Sequence, residues 1–244
     1  MINKVLVCPI AFNENLKIKS TIERFLKSPA FGKVDYLVMD DGSTDETTAV
    51  INQYANQGVQ TIKHRVRQGV GAAIRTAIDH ALQQRYDVLV IMAGNDKDNP
   101  DEIFLLVDPI LKESYDFVQG SRYQRRCTST GDMPLYRKLA TRLHPLLFSI
   151  FSGHKVTDST NGFRAMRLAI FKDERINIHQ AWLDHYELEP YLLFKALVLG
   201  YNFKEVFVTK RYPPKKLGYT KMKPVLGWWS ILKPIFYLGL RIKK

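Results

Sequence analysis

Two carboxylates stand side by side at the end of an apolar run in Tyr36-Leu37-Val38-Met39-Asp40-Asp41-Gly42-Ser43-Thr44-Asp45. A strand-type run that stops at Asp40 and Asp41, turns at Gly42 and offers Ser43, Thr44 and Asp45 as capping residues reads as strand, acidic loop, helix. In a parallel α/β sheet, ligands sit beyond the carboxyl ends of the strands, so both carboxylates would face a binding crevice. The plainer alternative is an ordinary turn in which Asp40, Asp41 and Asp45 are solvated caps that add little to stability. A second acidic loop, Ala93-Gly94-Asn95-Asp96-Lys97-Asp98-Asn99-Pro100, follows the apolar run 86–92 and falls at the same edge. Carboxylates converging there could hold a hard divalent cation bridging a diphosphate. Asp98 and Asp101 are equally explained as partners of the helix dipole around Pro100. Arg67-Gln68-Gly69-Val70-Gly71-Ala72-Ala73 opens another helix. Its glycines permit close approach of a phosphate or of packed backbone, and Arg67 adds positive charge.

The elements that must position these residues follow from periodicity. Apolar runs at 5–10, 36–39, 59–62 and 86–92 alternate with helical spacing at Ile18, Ile22, Phe25 and Leu26, at about 45–57, and at Ile74, Ala77, Ile78 and Ala81. That alternation predicts an α/β fold with a right-handed, mostly parallel sheet flanked by helices. With 244 residues, 45% hydrophobic and 25% charged, the chain can bury a sizeable core. Cys8 and Cys127 stand far apart in no metal-ligand spacing, which suits a reducing compartment and argues against a disulfide framework or a zinc site. Met1-Ile2-Asn3-Lys4 runs straight into a strand, so the expectation is a cytosolic protein without a signal peptide.

The net charge of +12 is concentrated: residues 201–244 hold eleven Lys and Arg against the single acid Glu205. Such a tail seeks polyanions, either nucleic acid or an anionic membrane surface. Its aromatics cluster in an apolar run, 225–240, rather than interleaving with the charges as base-stacking platforms would, which disfavours a nucleic-acid-binding module. The run is broken by Lys233-Pro234 into pieces shorter than the roughly 18 residues that span a bilayer. Trp228 and Trp229 beside Lys223, Lys233, Arg241, Lys243 and Lys244 suit an interfacial helical segment, with packing on the domain or dimerisation as the competing reading.

Taken together, Pro9, Phe12-Asn13-Glu14, Asp40 to Asp45, Arg67 to Ala73 and the acidic loop before Pro100 resemble the nucleotide-sugar-binding half of family 2 glycosyltransferases. Phe117-Val118-Gln119-Gly120-Ser121-Arg122-Tyr123 and Asp158-Ser159-Thr160-Asn161-Gly162-Phe163-Arg164 are similar to the dolichyl- or polyprenyl-phosphate sugar transferase branch. So are Tyr186-Glu187-Leu188-Glu189, Glu205 to Val208, Arg211 and Gly218-Tyr219-Thr220-Lys221. The resemblance implies a GT-A fold over 1–215, with a donor half at 1–123 and an acceptor half at 124–215; the basic, membrane-associating tail expected at 216–244 rests on its charge and aromatics. It implies a UDP- or GDP-sugar donor, a lipid-linked or polyprenyl-phosphate acceptor, and action at the cytosolic membrane face; a soluble enzyme extending a polysaccharide differs in acceptor only.

The resemblance also assigns roles. Pro9, Phe12, Glu14, Asp40, Asp41, Arg67, Gly71 and Arg137 would line the donor site, although Arg137 sits on a helix whose polar face would carry such a residue anyway. A departing diphosphate needs its charge neutralised, for which Arg122, Arg211 and Lys221 are the cationic candidates. A hydroxyl acceptor needs a general base whereas a phosphate is already ionised; Glu189 is the candidate base, with Glu187 and Asp184 nearby. The family's Asp-x-Asp is here Ala93-Gly94-Asn95, so one metal-facing carboxylate is missing. Asn95 and Asp96 remain as ligands for Mg²⁺ or Mn²⁺, and weak metal dependence is the expectation.

Overall fold

The computed structural model describes residues 4–124, 135–211 and 224–243. Strands β1 (Val5–Ala11), β2 (Asp35–Asp40), β3 (Val59–Lys63) and β4 (Val88–Ala93) pair in parallel in the order β3-β2-β1-β4. The intervening helices are α1 (Asn15–Leu26), α2 (Thr47–Asn52) and α3 (Val70–Gln83). Alternation along β1 explains the layers: Leu6 and Cys8 join α3 in one core, whereas Val5 and Val7 face α1 in the other. The helix expected to reach residue 57 ends at Asn52, and a 3₁₀ turn, Ala55–Gln57, carries the chain to Gly58 and β3.

The sheet continues as β4-β6-β5-β7, with β5 (Phe117–Ser121), β6 (Arg164–Arg167) and β7 (Phe203–Phe207). The sequence patterning did not foretell that β6 runs antiparallel to both β4 and β5. The reversal matters for function. Arg164, at the start of β6, pairs with Ile91 near the end of β4, so the loop leading into β6 reaches the carboxyl edge where β1, β2 and β4 deliver theirs. Helices α4 (Ile103–Lys112), α5 (Leu135–Ser152) and α6 (Leu188–Val198) complete the layers.

The apolar C-terminal run is one helix, α7 (Pro224–Gly239), unbroken at Pro234. A proline removes one N–H bond and crowds the preceding turn; here neighbouring helices hold the segment. Ile235 and Leu238 enter the core, Phe236 meets Phe151 of α5 edge-on, and Tyr237 packs on Trp182. The inner face of the expected tail is therefore packed on the domain. No described helix is long and apolar enough to cross a membrane.

His144 bolts α5 to this arrangement. The Ile231 carbonyl can only accept, so the neutral ring carries its proton on Nε2 (3.2 Å) while Nδ1 accepts from the Ser159 hydroxyl (2.7 Å). Burial drives the His144 pKa down to about 4, only partly opposed by the Ile231 bond and the Asp158 charge. A depressed histidine contributes stability that is complete above its unfolded value and lost as pH falls from about 6.5 towards 4, up to the order of 3 kcal/mol. The urea midpoint should fall between pH 7.5 and pH 4.5, and by visibly less in His144→Gln; equal pH dependence in both proteins would refute this role.

Candidate active site

A cavity of about 260 Å³ opens at the carboxyl edge, lined among others by Phe12, Glu14, Asp41, Arg67, Asn95 and Lys97 from the first half of the chain. Arg122, Gly162, Glu189, Lys210 and Trp228 line it from the second. The donor-half wall is built on Asp41, which is 3% exposed. Its Oδ1 accepts from His64 Nδ1 (2.8 Å) and the Gln68 N–H (2.8 Å), and its Oδ2 from the Gly69 N–H (2.9 Å). Gly42, at φ +70, allows the approach that this requires, since a Cβ there would lie 2.5 Å from Arg67 N.

Asp41 is thus no solvated cap. Asp41→Ala would strip three donors of their acceptor at once and release loop 64–69 along with Arg67, whose guanidinium sits 4.2 Å over the Phe12 ring. The expectation that this carboxylate adds little to stability is corrected accordingly. Asp40 is equally buried and spent on its own turn, accepting from the Ser43 N–H (2.8 Å) and the Thr48 hydroxyl (2.5 Å).

The other residues singled out from sequence divide clearly. Glu14 lines the cavity and pairs with Lys17 at 2.6 Å. Pro9 is buried within β1 beside Met92 and does not line the cavity. Gly71 serves close packing, for a Cβ there would meet the Leu183 and His185 carbonyls. Arg122 reaches the cavity wall in the grip of Asp158, with Nε–Oδ2 at 2.6 Å and Nη2–Oδ1 at 2.7 Å. Burial pushes the Asp158 pKa up, but the Arg122 charge and hydrogen bonds outweigh it and hold the carboxyl below its usual value. Arg211 lies outside the cavity lining with its side chain 61% exposed, 3.8 Å from Asp96. The side chain of Arg137 and all of Lys221 fall outside the described residues.

Glu189 is placed by the antiparallel strand. Buried Arg164 donates to the Glu189 carbonyl (2.8 Å) and the Asn161 carbonyl (2.7 Å), and its Nη2 lies 3.5 Å from Glu189 Oε1. The carboxylate passes directly over Gly162, where a Cβ would come within 2.8 Å of Oε1. Glu189 therefore projects into the cavity, oriented from behind by the Arg164 guanidinium.

The fit to a divalent cation is poor. Asn95 lines the cavity, and its buried Oδ1 has no hydrogen-bond partner among the described residues, so one neutral oxygen is on offer. Asp96 is turned away, bonded to Arg24 at 2.8 Å and absent from the lining, which corrects its assignment as a ligand. Asp98 is consumed by the Ala93 N–H (2.7 Å) and Lys210 Nζ (2.5 Å). No cluster of three or more metal-ligating side chains occurs among the described residues. Instead the cavity wall carries Lys97 and Lys210, the latter in an ion pair with Asp98 outside the lining.

Lys97, Lys210 and Trp228 were not singled out as donor-site residues from sequence. The available signal was a lysine inside a loop at the end of a buried strand, and a Lys-Arg pair following β7.

Several known proteins similar to this chain are glycosyltransferases by name. The chain is 28% identical over 176 residues to the UDP-N-acetylglucosamine–dolichyl-phosphate N-acetylglucosaminyltransferase of Methanococcus voltae, covering 66% of this chain and 68% of that one. It is 27% identical over 224 residues to the undecaprenyl-phosphate mannosyltransferase of Micrococcus luteus, covering 90% and 87%. Glucosyl-3-phosphoglycerate synthase from Mycobacterium tuberculosis, solved in complex with Mn²⁺, uridine diphosphate and glucosyl-3-phosphoglycerate, superposes with a TM-score of 0.66 at 21% identity, over 96% of this chain and 80% of that one. That likeness establishes the GT-A fold. Residues 7–175 match the model of glycosyl transferase family 2, more than half of the chain, and the protein is a glycosyltransferase belonging to that family.

Proposed function

We propose that this enzyme moves a sugar from a UDP- or GDP-linked donor to a polyprenyl phosphate or lipid-linked glycan at the cytosolic face of a membrane. The observation that carries the reading is one cavity with Glu14 and Asp41 on its donor side, Arg67, Lys97 and Lys210 to receive a diphosphate, and Glu189 aimed into the same space. In this mechanism the cations stabilise the leaving diphosphate, and Glu189 takes the proton of an attacking hydroxyl. Relatives named for dolichyl- and undecaprenyl-phosphate acceptors support the acceptor class. Calorimetric titration with UDP, GDP and their sugars tests the donor; absence of binding to every one would overturn the reading.

A surface feature supports the membrane. Leu139, Leu143, Leu146 and Ile150 are all exposed at helical spacing on α5, opposite the inner face that carries His144 and Phe148. Leu240 and Ile242 are exposed just beyond α7, with Arg241 and Lys243 beside them. An apolar stripe on a protein of net charge +12 suits an anionic bilayer. Since burying each large aliphatic side chain contributes at least about 1.5 kcal/mol, Leu143→Asp with Ile150→Asp should weaken partition onto phosphatidylglycerol vesicles by roughly 100-fold. Undiminished flotation with the vesicles would remove this face from the proposal.

A further inference from the structure

Behind loop 67–69, a second cavity of about 460 Å³ adjoins the first and shares Arg67, Gly69, His185 and Tyr186 with it. Its remaining wall comes from Gln68 and Glu187 and from Gly227, Trp229, Ser230 and Lys233 of α7. Glu187 is buried, its side chain 5% exposed. One carboxylate oxygen, Oε1, pairs with Lys233 Nζ at 2.5 Å. The other, Oε2, has no partner among the described residues.

We infer that this second cavity is a subsite for a sugar unit of the acceptor, a reading that rests on the proposed glycosyl transfer and names its acceptor more narrowly. A buried carboxylate oxygen without a donor is costly to keep, and a ligand that brings a hydroxyl satisfies it. A ligand that can also accept is favoured, because the cationic residues Lys233 and Arg67 line the same space. A phosphate dianion would accept from the two cations but would be repelled by Glu187 Oε2. A pyranose hydroxyl does both. Trp229, 51% exposed in the same lining, offers the broad apolar ring face that the C–H face of a sugar can cover. The volume lies within the range of small-molecule sites, and the shared lining of Arg67, Gly69, His185 and Tyr186 sets this cavity beside the one that Glu189 lines. The acceptor that fits is therefore a lipid-linked saccharide attacking through a sugar hydroxyl: its O–H proton passes to Glu189, its oxygen bonds to the anomeric carbon, and the C–O bond to the diphosphate breaks.

The test uses the full chain and two variants, Glu187→Gln, which keeps shape, and Trp229→Ala, which alters an exposed side chain. Saturation-transfer NMR with methyl pyranosides of gluco, galacto, manno and N-acetylgluco configuration should show contact with the wild type, and at least a tenfold loss of affinity in each variant. Calorimetric affinity for the nucleotide donor should be held in both. Turnover on vesicles should prefer a polyprenyl diphosphate bearing a sugar over bare polyprenyl phosphate, with KM for the former raised at least tenfold in Glu187→Gln. Unchanged pyranoside contact and KM in both variants, no contact in the wild type, or equal use of bare polyprenyl phosphate would overturn the subsite while leaving donor binding in place. Loss of donor binding by the wild type would instead strike the glycosyl-transfer reading itself.

Discussion

Glu189→Gln should lower kcat on a hydroxyl acceptor by roughly 10²–10⁴-fold, the range usual for removal of a general base. The geometry makes the expectation specific. The carboxylate reaches the cavity over Gly162, held by Arg164 through its own backbone carbonyl at 2.8 Å, and an isosteric amide keeps that placement while losing the ability to take a proton. Donor affinity measured by calorimetry should therefore be preserved while turnover collapses. The same variant reports on the acceptor, since a phosphate nucleophile is already ionised and needs no base. A near-normal kcat with a sugar-bearing acceptor would remove Glu189 from the mechanism.

The second large effect concerns the leaving group. Because Lys97 and Lys210 stand in the cavity wall and no carboxylate of the 93–98 loop faces it, the proposed mechanism leaves the diphosphate charge to these cations. Loss of one preorganised electrostatic contact typically costs on the order of 10²-fold or more in rate. Lys97→Ala and Lys210→Ala should each reach that loss in kcat, whereas Asp96→Asn, away from the cavity, and treatment with EDTA should cost much less. Lys210 also partners buried Asp98 at 2.5 Å, so the melting temperature of Lys210→Ala must be recorded beside its kinetics, and the double variant with Asp98→Asn separates a lost charge from a stranded carboxylate. Should EDTA abolish turnover and Asp96→Asn match it while Lys97→Ala stays active, the assignment of charge to lysines is wrong.

Most of the first half of the chain is legible in its amino-acid pattern. Strand runs ending at Asp40 and Ala93, and the glycines at 42, 69 and 71, carry their meaning within a few residues, because hydrophobic periodicity and turn chemistry are local. Even there the roles are only half legible. Asp41 is spent on donors 23 to 28 residues away, which no local pattern reveals.

By itself, then, the sequence determined the βα alternation, the edge at which the loops collect, the family resemblance, the missing carboxylate at Ala93 and the basic, aromatic end of the chain. Tertiary structure alone decided which charges remain at work in the cavity. Asp96 is captured by Arg24, 72 residues earlier, and Arg122 by Asp158, 36 residues later. The reversed strand β6 turns Arg164 towards Glu189, and packing of α7 through Ile235 and His144 brings Trp228 to one cavity and Trp229 to the other. The physical reason is the same throughout. A side chain's chemistry depends on which partner neutralises it, and those partners are chosen by contacts between distant segments whose spacing leaves no periodic trace in the chain.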